Sequence, residues 1–218
     1  MKLFKLTNLD GLTKKNTQWG DNVTVSLPKK ENPRLCTSVV IHAYKDINLA
    51  CLLNPIHGDY NPYRIFEAEG EIVVEDWGKC GCFSLTTISE IEKPDWVSGG
   101  KEMEIKIMFA ILCAEEVLHF FENQFPSDKR PRKAIKAAKK YLKNKTADAA
   151  FAAARAADAA FAAADAAHAV ADAADAAFAA ARAARAKINF PEIAIKAISL
   201  LMDNMAIKRR KRSPGDAQ

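Results

Sequence analysis

The sequence predicts an α+β fold: a small β-rich N-terminal domain followed by an alanine-rich helical bundle. Three observations carry this. The first hundred residues hold short β-branched and aromatic runs separated by turn residues. From Lys101 onward, apolar residues recur at spacings of three and four. Between Asp148 and Ala186 the chain is mostly alanine, with neither Gly nor Pro, and alanine is the strongest helix former.

In the β-rich part, "VTVSL" (Val23–Leu27), "CTSVVIHAY" (Cys36–Tyr44), "RIFEAEGEIVVE" (Arg64–Glu75) and "CFSLTTISEIE" (Cys82–Glu92) read as strands. Turns fall at Pro28, Pro33, "NPIHGDYNP" and "DWGKCG". "DINLACLL" reads as a short helix capped by Asp46 and stopped by Asn54-Pro55. Pro94–Gly100 reads as a linker between a domain at 1–97 and a helical domain at 101–208, with residues 209–218 as a basic flexible tail.

The first helix of the second part carries Met103, Ile107, Ala110, Ile111, Ala114, Val117, Leu118 and Phe121 on its apolar face and ends near Phe125-Pro126. A second starts after Asp128, with Pro131 in the first turn, where its missing N–H costs little. Pro191 opens a last helix whose apolar face is Ile193, Ile195, Ala197, Ile198, Leu201, Met202 and Met205. In the alanine stretch, charged or His positions fall at 148, 155, 158, 165, 168, 172, 175, 182 and 185. These steps of three, four and seven form one polar stripe on an otherwise small-residue surface, which admits close helix approach. Phe151, Phe161 and Phe178 are its knobs. Small side chains bury little area each, so the stretch packs on larger residues, in its own chain or in a second subunit. The expectation is a homo-oligomer.

The net charge is +5, but it is unevenly placed. Nine Lys/Arg against one acid lie between Phe125 and Thr146, and Lys208 to Arg212 form an unbroken basic run. Such a surface attracts anions. The five cysteines are an odd number; with no apolar leader in "MKLFKLTNLDGL", they are expected as free thiols in the cytoplasm of a bacterial host. Cys80-Gly81-Cys82 lacks the second pair a zinc site needs. P-loop, dinucleotide fingerprint, nucleophile elbow and HExxH motifs are all missing, which points away from an enzyme, from a cofactor and from a metal site.

Candidate binding residues fall in three groups. Arg130 and Arg132 flank Pro131 at a helix start, with Lys133 and Lys136 following; a helix N-terminus with two guanidinium forks can cradle a phosphate or carboxylate, or the arginines can bridge to Asp128 and Glu122. His42, Tyr44, Asn54 and His57 flank the predicted short helix, either as pocket groups around a polar ligand or as satisfied structural residues. His168 lies on the polar stripe of the alanine stretch. The "KRRKR" tail could touch nucleic acid non-specifically.

The segment "ILCAEEVLHFFENQFPSDKRPRKAIKAAKKYL" and the alanine-rich helices after it resemble the immunity-protein family of bacterial polymorphic toxin systems. The carrying residues are Cys113, Ala114, Val117, Leu118, Phe121, Glu122, Asp128, Arg130, Pro131, Arg132, Ala134, Ile135, Ala137 and Ala138. The chain departs from that family in the later histidine-rich helix, where only His168 remains. "HAYKDINLACLLNPIHGDYNPYRIFEAEGEI" and "LTTISEI" resemble an uncharacterised domain of phage and prophage proteins. The spacing of "IHAY" and "LACLL" is also similar to the second motif of ADP-ribosyltransferase-like folds, but no one of Glu67, Glu69, Glu71 and Glu75 stands out as the catalytic glutamate.

With the missing catalytic motifs and the basic groups, these resemblances point to a non-catalytic phage-type binding protein that inhibits a bacterial immune or toxin activity by sequestering a small anionic, nucleotide-like signal. One alternative they leave is an immunity-type protein that masks a toxin or defence protein by direct contact. The other is an ADP-ribosyltransferase-like enzyme.

Overall fold

The computed structural model describes residues 1–76, 78–144 and 189–210. The alanine stretch with His168, and residues 211–218 of the basic tail, lie outside the described residues. The fold is α+β, an N-terminal sheet followed by helices. The chain divides into two compact units. The first comprises Met1–Glu102 with Phe190–Ile195, and the second holds the described residues of Met103–Asn189 and Lys196–Gln218.

The first unit is built on β1 (Lys2–Asn8), β2 (Leu12–Thr13), β3 (Thr17–Gln18), β4 (Val23–Ser26), β5 (Ile41–Ala43), β6 (Tyr63–Glu75) and β7 (Cys80–Ile91), with helix α1 (Ile47–His57) between β5 and β6. All pairings in the main sheet are antiparallel: β1 with β6, β6 with β7, and β7 on its other edge with β4 and then β5. Just past β5, Phe4 and Tyr44 exchange both backbone hydrogen bonds, at 2.8 and 2.9 Å. The hydrogen-bonded path therefore returns to β1, and the sheet curls into a closed ring. Register shifts at three points along β6 and β7 supply the bending.

Leu3, Trp19, Ile41, Ala43, Ala68, Cys80, Cys82 and Leu85 form one buried hydrophobic cluster of this unit. Cys80 and Cys82 face it together, as residues two apart on a strand must. Gly81 points the other way, where a Cβ would come within 2.8 Å of Val40 and 2.9 Å of Val74. Close packing against Val40 and Val74 accounts for the glycine between the two cysteines.

Several local expectations need correction. The segment read as one strand from Cys36 to Tyr44 is a strand only over Ile41–Ala43, because turns occupy the residues before it. β1 has no counterpart in the strands read from sequence. Helix α1 begins as expected, with Asp46 Oδ1 accepting from Leu49 N at 2.8 Å, but it runs through Pro55 to His57. Pro55 lies in the last turn, and Asn54 O still accepts from Gly58 N at 2.9 Å, so the carbonyls of this turn are used beyond the proline. The expected linker is ordered: Trp96 and Val97 are buried, Trp96 Nε1 donates to Asn48 Oδ1 at 2.8 Å, and Val97–Lys101 make a wide helical turn in which Gly100 adopts φ 72°.

The later helices are α2 (Glu102–Gln124), α3 (Arg130–Asn144) and α4 (Phe190–Arg210). Helix α4 extends into the first arginines of the basic run. Among the described residues of α2, Ile105, Phe109 and Ile111 are buried, whereas Met103 is exposed. In α4, Ile193, Ala194 and Ala197 are buried, and Ile195 is 60% exposed. The spacing located both helices but misplaced the edges of their buried faces. No described helix is long and apolar enough to cross a membrane.

Candidate functional site

Two groups of predicted site residues lie in different units. In the helical unit, Asp128 precedes α3 and accepts from the backbone N–H of Arg130 at 2.9 Å. The Arg130 guanidinium turns back on the same carboxylate, with Nε 3.0 Å from each oxygen and Nη2 2.7 Å from Oδ2. Arg132 points to α2 instead: its Nε donates to Glu122 Oε1 at 2.6 Å, and its Nη2 donates to Oε2. Lys139 meets Glu115 at 2.6 Å. The hydrogen bond from Arg132 holds the Glu122 carboxyl below its ordinary range. Arg130 does the same to Asp128. Both arginines are held more firmly protonated in return.

Lys133 and Lys136 are different. With Lys129, Lys140 and Lys143 they follow steps of four, three, four and three, which is one face of a helix. All five are exposed, and α3 has no buried residue among those described. None of the five makes an ion pair with a described residue. The helix thus separates its cations: arginines and Lys139 tie to acids, while a lysine stripe faces outward.

In the N-terminal unit, β5 and α1 bring His42, Tyr44, Asn54 and His57 to one end of the ring. Tyr44 Oη lies 3.1 Å from His57 Nδ1, and the two rings stack at 5.9 Å. Burial first, and Lys79 second, push both imidazoles down to about 4, so both are neutral near pH 7. Burial also raises the Tyr44 phenol above its ordinary value. Asn54 is 3% exposed. Its amide is occupied by the loop, donating to Tyr60 O at 2.7 Å and accepting from Tyr60 N at 3.1 Å. His42 Nε2 accepts from the backbone N–H of Cys36 at 3.0 Å.

Residues not foreseen complete this end. Lys79 Nζ lies 3.0 Å from Cys36 Sγ, and Lys14 Nζ donates to His57 O at 3.2 Å. Asp76 Oδ1 accepts from the N–H groups of Gly78 and Lys79 at 2.7 and 2.8 Å. The sequence read "DWGKCG" only as a turn. A lysine in a turn carries no sign that its stem will be buried.

A family model described as "Imm-5 like putative immunity protein" matches residues 101–213, just over half of the chain. No curated protein matches, and no solved structure matches. The match spans α2, α3 and α4, and takes in Glu122, Asp128, Arg130 and Arg132. The chain belongs to the Imm-5-like immunity-protein family.

Proposed function

We propose that this protein is a non-catalytic immunity-type factor that neutralises a toxin protein by binding it, with the lysine face of α3 as a contact surface. Family membership supports a toxin protein as the partner. The observation that carries the contact surface is the division of cations on α3. Arg130, Arg132 and Lys139 are engaged with acids, whereas Lys129, Lys133, Lys136, Lys140 and Lys143 are exposed on one face. A row of ammonium groups that pair with no described acid steers an acidic surface and adds to the rate of association. The prophage-type resemblance of the N-terminal half supports a mobile-element setting, and the expected homo-oligomer belongs to the same proposal.

The test is titration of the full chain with a toxin domain encoded beside it. Lys133→Glu, Lys136→Glu and Lys140→Glu together should weaken binding by at least about tenfold and leave the melting temperature unchanged. Unchanged affinity would remove the lysine face from the interface. A second reading, capture of a small nucleotide-like anion, is favoured by the cationic groups around α3. It requires a nucleotide to raise the melting temperature, with no dependence on a toxin.

A further inference from the structure

We propose that Cys36 is a nucleophilic modification site for soft carbon electrophiles, with the buried ammonium of Lys79 favouring reagents that carry a negative charge. The site joins three segments of the first unit: the loop before β5, β5 itself, and the turn that opens β7. Cys36 is the exposed thiol among the five. Lys79 is 8% exposed, and its Nζ faces Cys36 Sγ at 3.0 Å.

That ammonium has no other acceptor among the described residues. Asp76, three residues earlier, directs Oδ1 to the backbone N–H groups of Gly78 and Lys79 and forms no ion pair with Lys79. With no counter-ion among the described residues, this ammonium can stabilise negative charge that develops at the atom it faces. The faced atom is the sulfur. His42 holds the loop from the other side: because Nε2 accepts from Cys36 N, the ring proton of the neutral imidazole sits on Nδ1. His42 is therefore an acceptor at this site and adds no competing positive charge.

The chemistry balances without a further reagent. With a haloacetamide or haloacetate, Sγ bonds to the methylene carbon, the carbon–halogen bond breaks, halide leaves, and the thiol proton passes to water. With an α,β-unsaturated carbonyl, Sγ bonds to the β-carbon as the carbon–carbon π bond breaks, the thiol proton passes to water, and the α-carbon takes a proton back from water. Reactive cysteines elsewhere share the same arrangement of a sulfur beside a cation in a partly exposed place.

The experiment uses the native full-length protein at pH 7, with limiting iodoacetamide or iodoacetate. Each cysteine's alkylation is followed by peptide mass spectrometry, with glutathione as the reference thiol. Cys36 should react about tenfold faster than glutathione with iodoacetamide. Its ratio of iodoacetate to iodoacetamide rates should exceed that of glutathione, because Lys79 attracts the anionic reagent. Lys79→Met should bring both quantities to the glutathione values, and Lys79→Arg should restore the preference for iodoacetate. A Cys36 rate no higher than that of glutathione, or an unchanged reagent ratio, overturns the proposal. Both are read on the unmodified protein, so they stand even if the Lys79 variants do not fold.

Discussion

Arg132 on α3 grips Glu122 on α2 through two parallel N–H donors, each to its own carboxylate oxygen. Seven residues back along α2 and seven forward along α3, Glu115 meets Lys139. Seven residues are two turns, about 10 Å. The two contacts therefore fix α2 and α3 as an antiparallel pair in one register, with acids on one helix facing cations on the other.

This register predicts how charge swaps behave. Glu122→Arg or Arg132→Glu alone places like charges opposite each other and should lower the melting temperature, by less than about 4 °C because the groups are exposed. The double swap should recover most of the loss. Differential scanning calorimetry of the four proteins checks it. If the double variant melts no higher than the single ones, the two residues are not coupled.

Acid sensitivity follows from the imidazoles. His42 and His57 sit near 4 in the folded protein, from an ordinary 6.5, chiefly through burial and then Lys79. Lys5, Lys14 and Asp76 also act on one ring or the other. Between these values the unfolded chain binds protons that the folded protein does not, so stability rises with pH. The contribution of the two rings is complete above about pH 6.5 and is lost as pH falls toward 4. The melting temperature should decline across that window, and His57→Gln should flatten the decline. Comparing variant and parent at each pH removes the part due to carboxylates such as Glu122 and Asp128, whose depressed values act lower on the scale. A pH-independent melting temperature from 6.5 to 4.5 would contradict the burial of both rings.

Asn54 serves the loop after α1. Removing its amide in Asn54→Ala leaves Tyr60 N and Tyr60 O without these partners, a loss of about 1–3 kcal/mol when such groups stay buried. Asn54→Asp keeps the acceptor but sets a buried carboxylate against Tyr60 O, so it should cost at least as much as Asn54→Ala. Urea midpoints with an unchanged slope measure this directly. Parent-like stability of Asn54→Ala would mean that water replaces the amide.

Periodicity and turn residues made much of the fold readable. β6 and β7 stand out because β-branched runs sit between clear turns, and α2 and α3 because Pro126 and Pro131 bracket the break between them. Closure of the ring was not readable. It depends on the pairing of Phe4 with Tyr44, forty residues apart, which no local pattern encodes. β1 was missed because Lys5 interrupts its alternation, yet that lysine is buried. Its amine reaches His42 O at 2.7 Å and stands over the Trp19 ring at 4.9 Å, and burial lowers it to about 8. At the candidate sites, His42 and His57 were identifiable as residue types. Lys79 was not, since its partner Cys36 lies 43 residues away. The arginines were found together with their acids, and the sequence left open whether they bind a ligand or bridge to Asp128 and Glu122; the Arg132–Glu122 choice is made once α2 and α3 are paired.

The cations of α3 give the most decisive comparison. Arg130 and Arg132 are each held by a carboxylate, so an incoming phosphate must first displace Asp128 and Glu122. The outward lysines have no acid to displace among the described residues. If the arginines act as struts, Arg130→Gln with Arg132→Gln should lower the melting temperature by a few degrees at most, about the range for exposed pairs, and leave toxin binding per folded molecule intact. The lysine triple reversal should do the opposite, sparing the melting temperature and weakening binding, with a steeper loss at low salt than at high salt because screening already removes part of the attraction. If instead the arginine double variant keeps its melting temperature and abolishes a nucleotide-induced thermal shift, the guanidinium groups are a phosphate cradle and the protein sequesters a small anion. The two pairs of readings cannot both hold, and calorimetry with titration at two salt concentrations separates them.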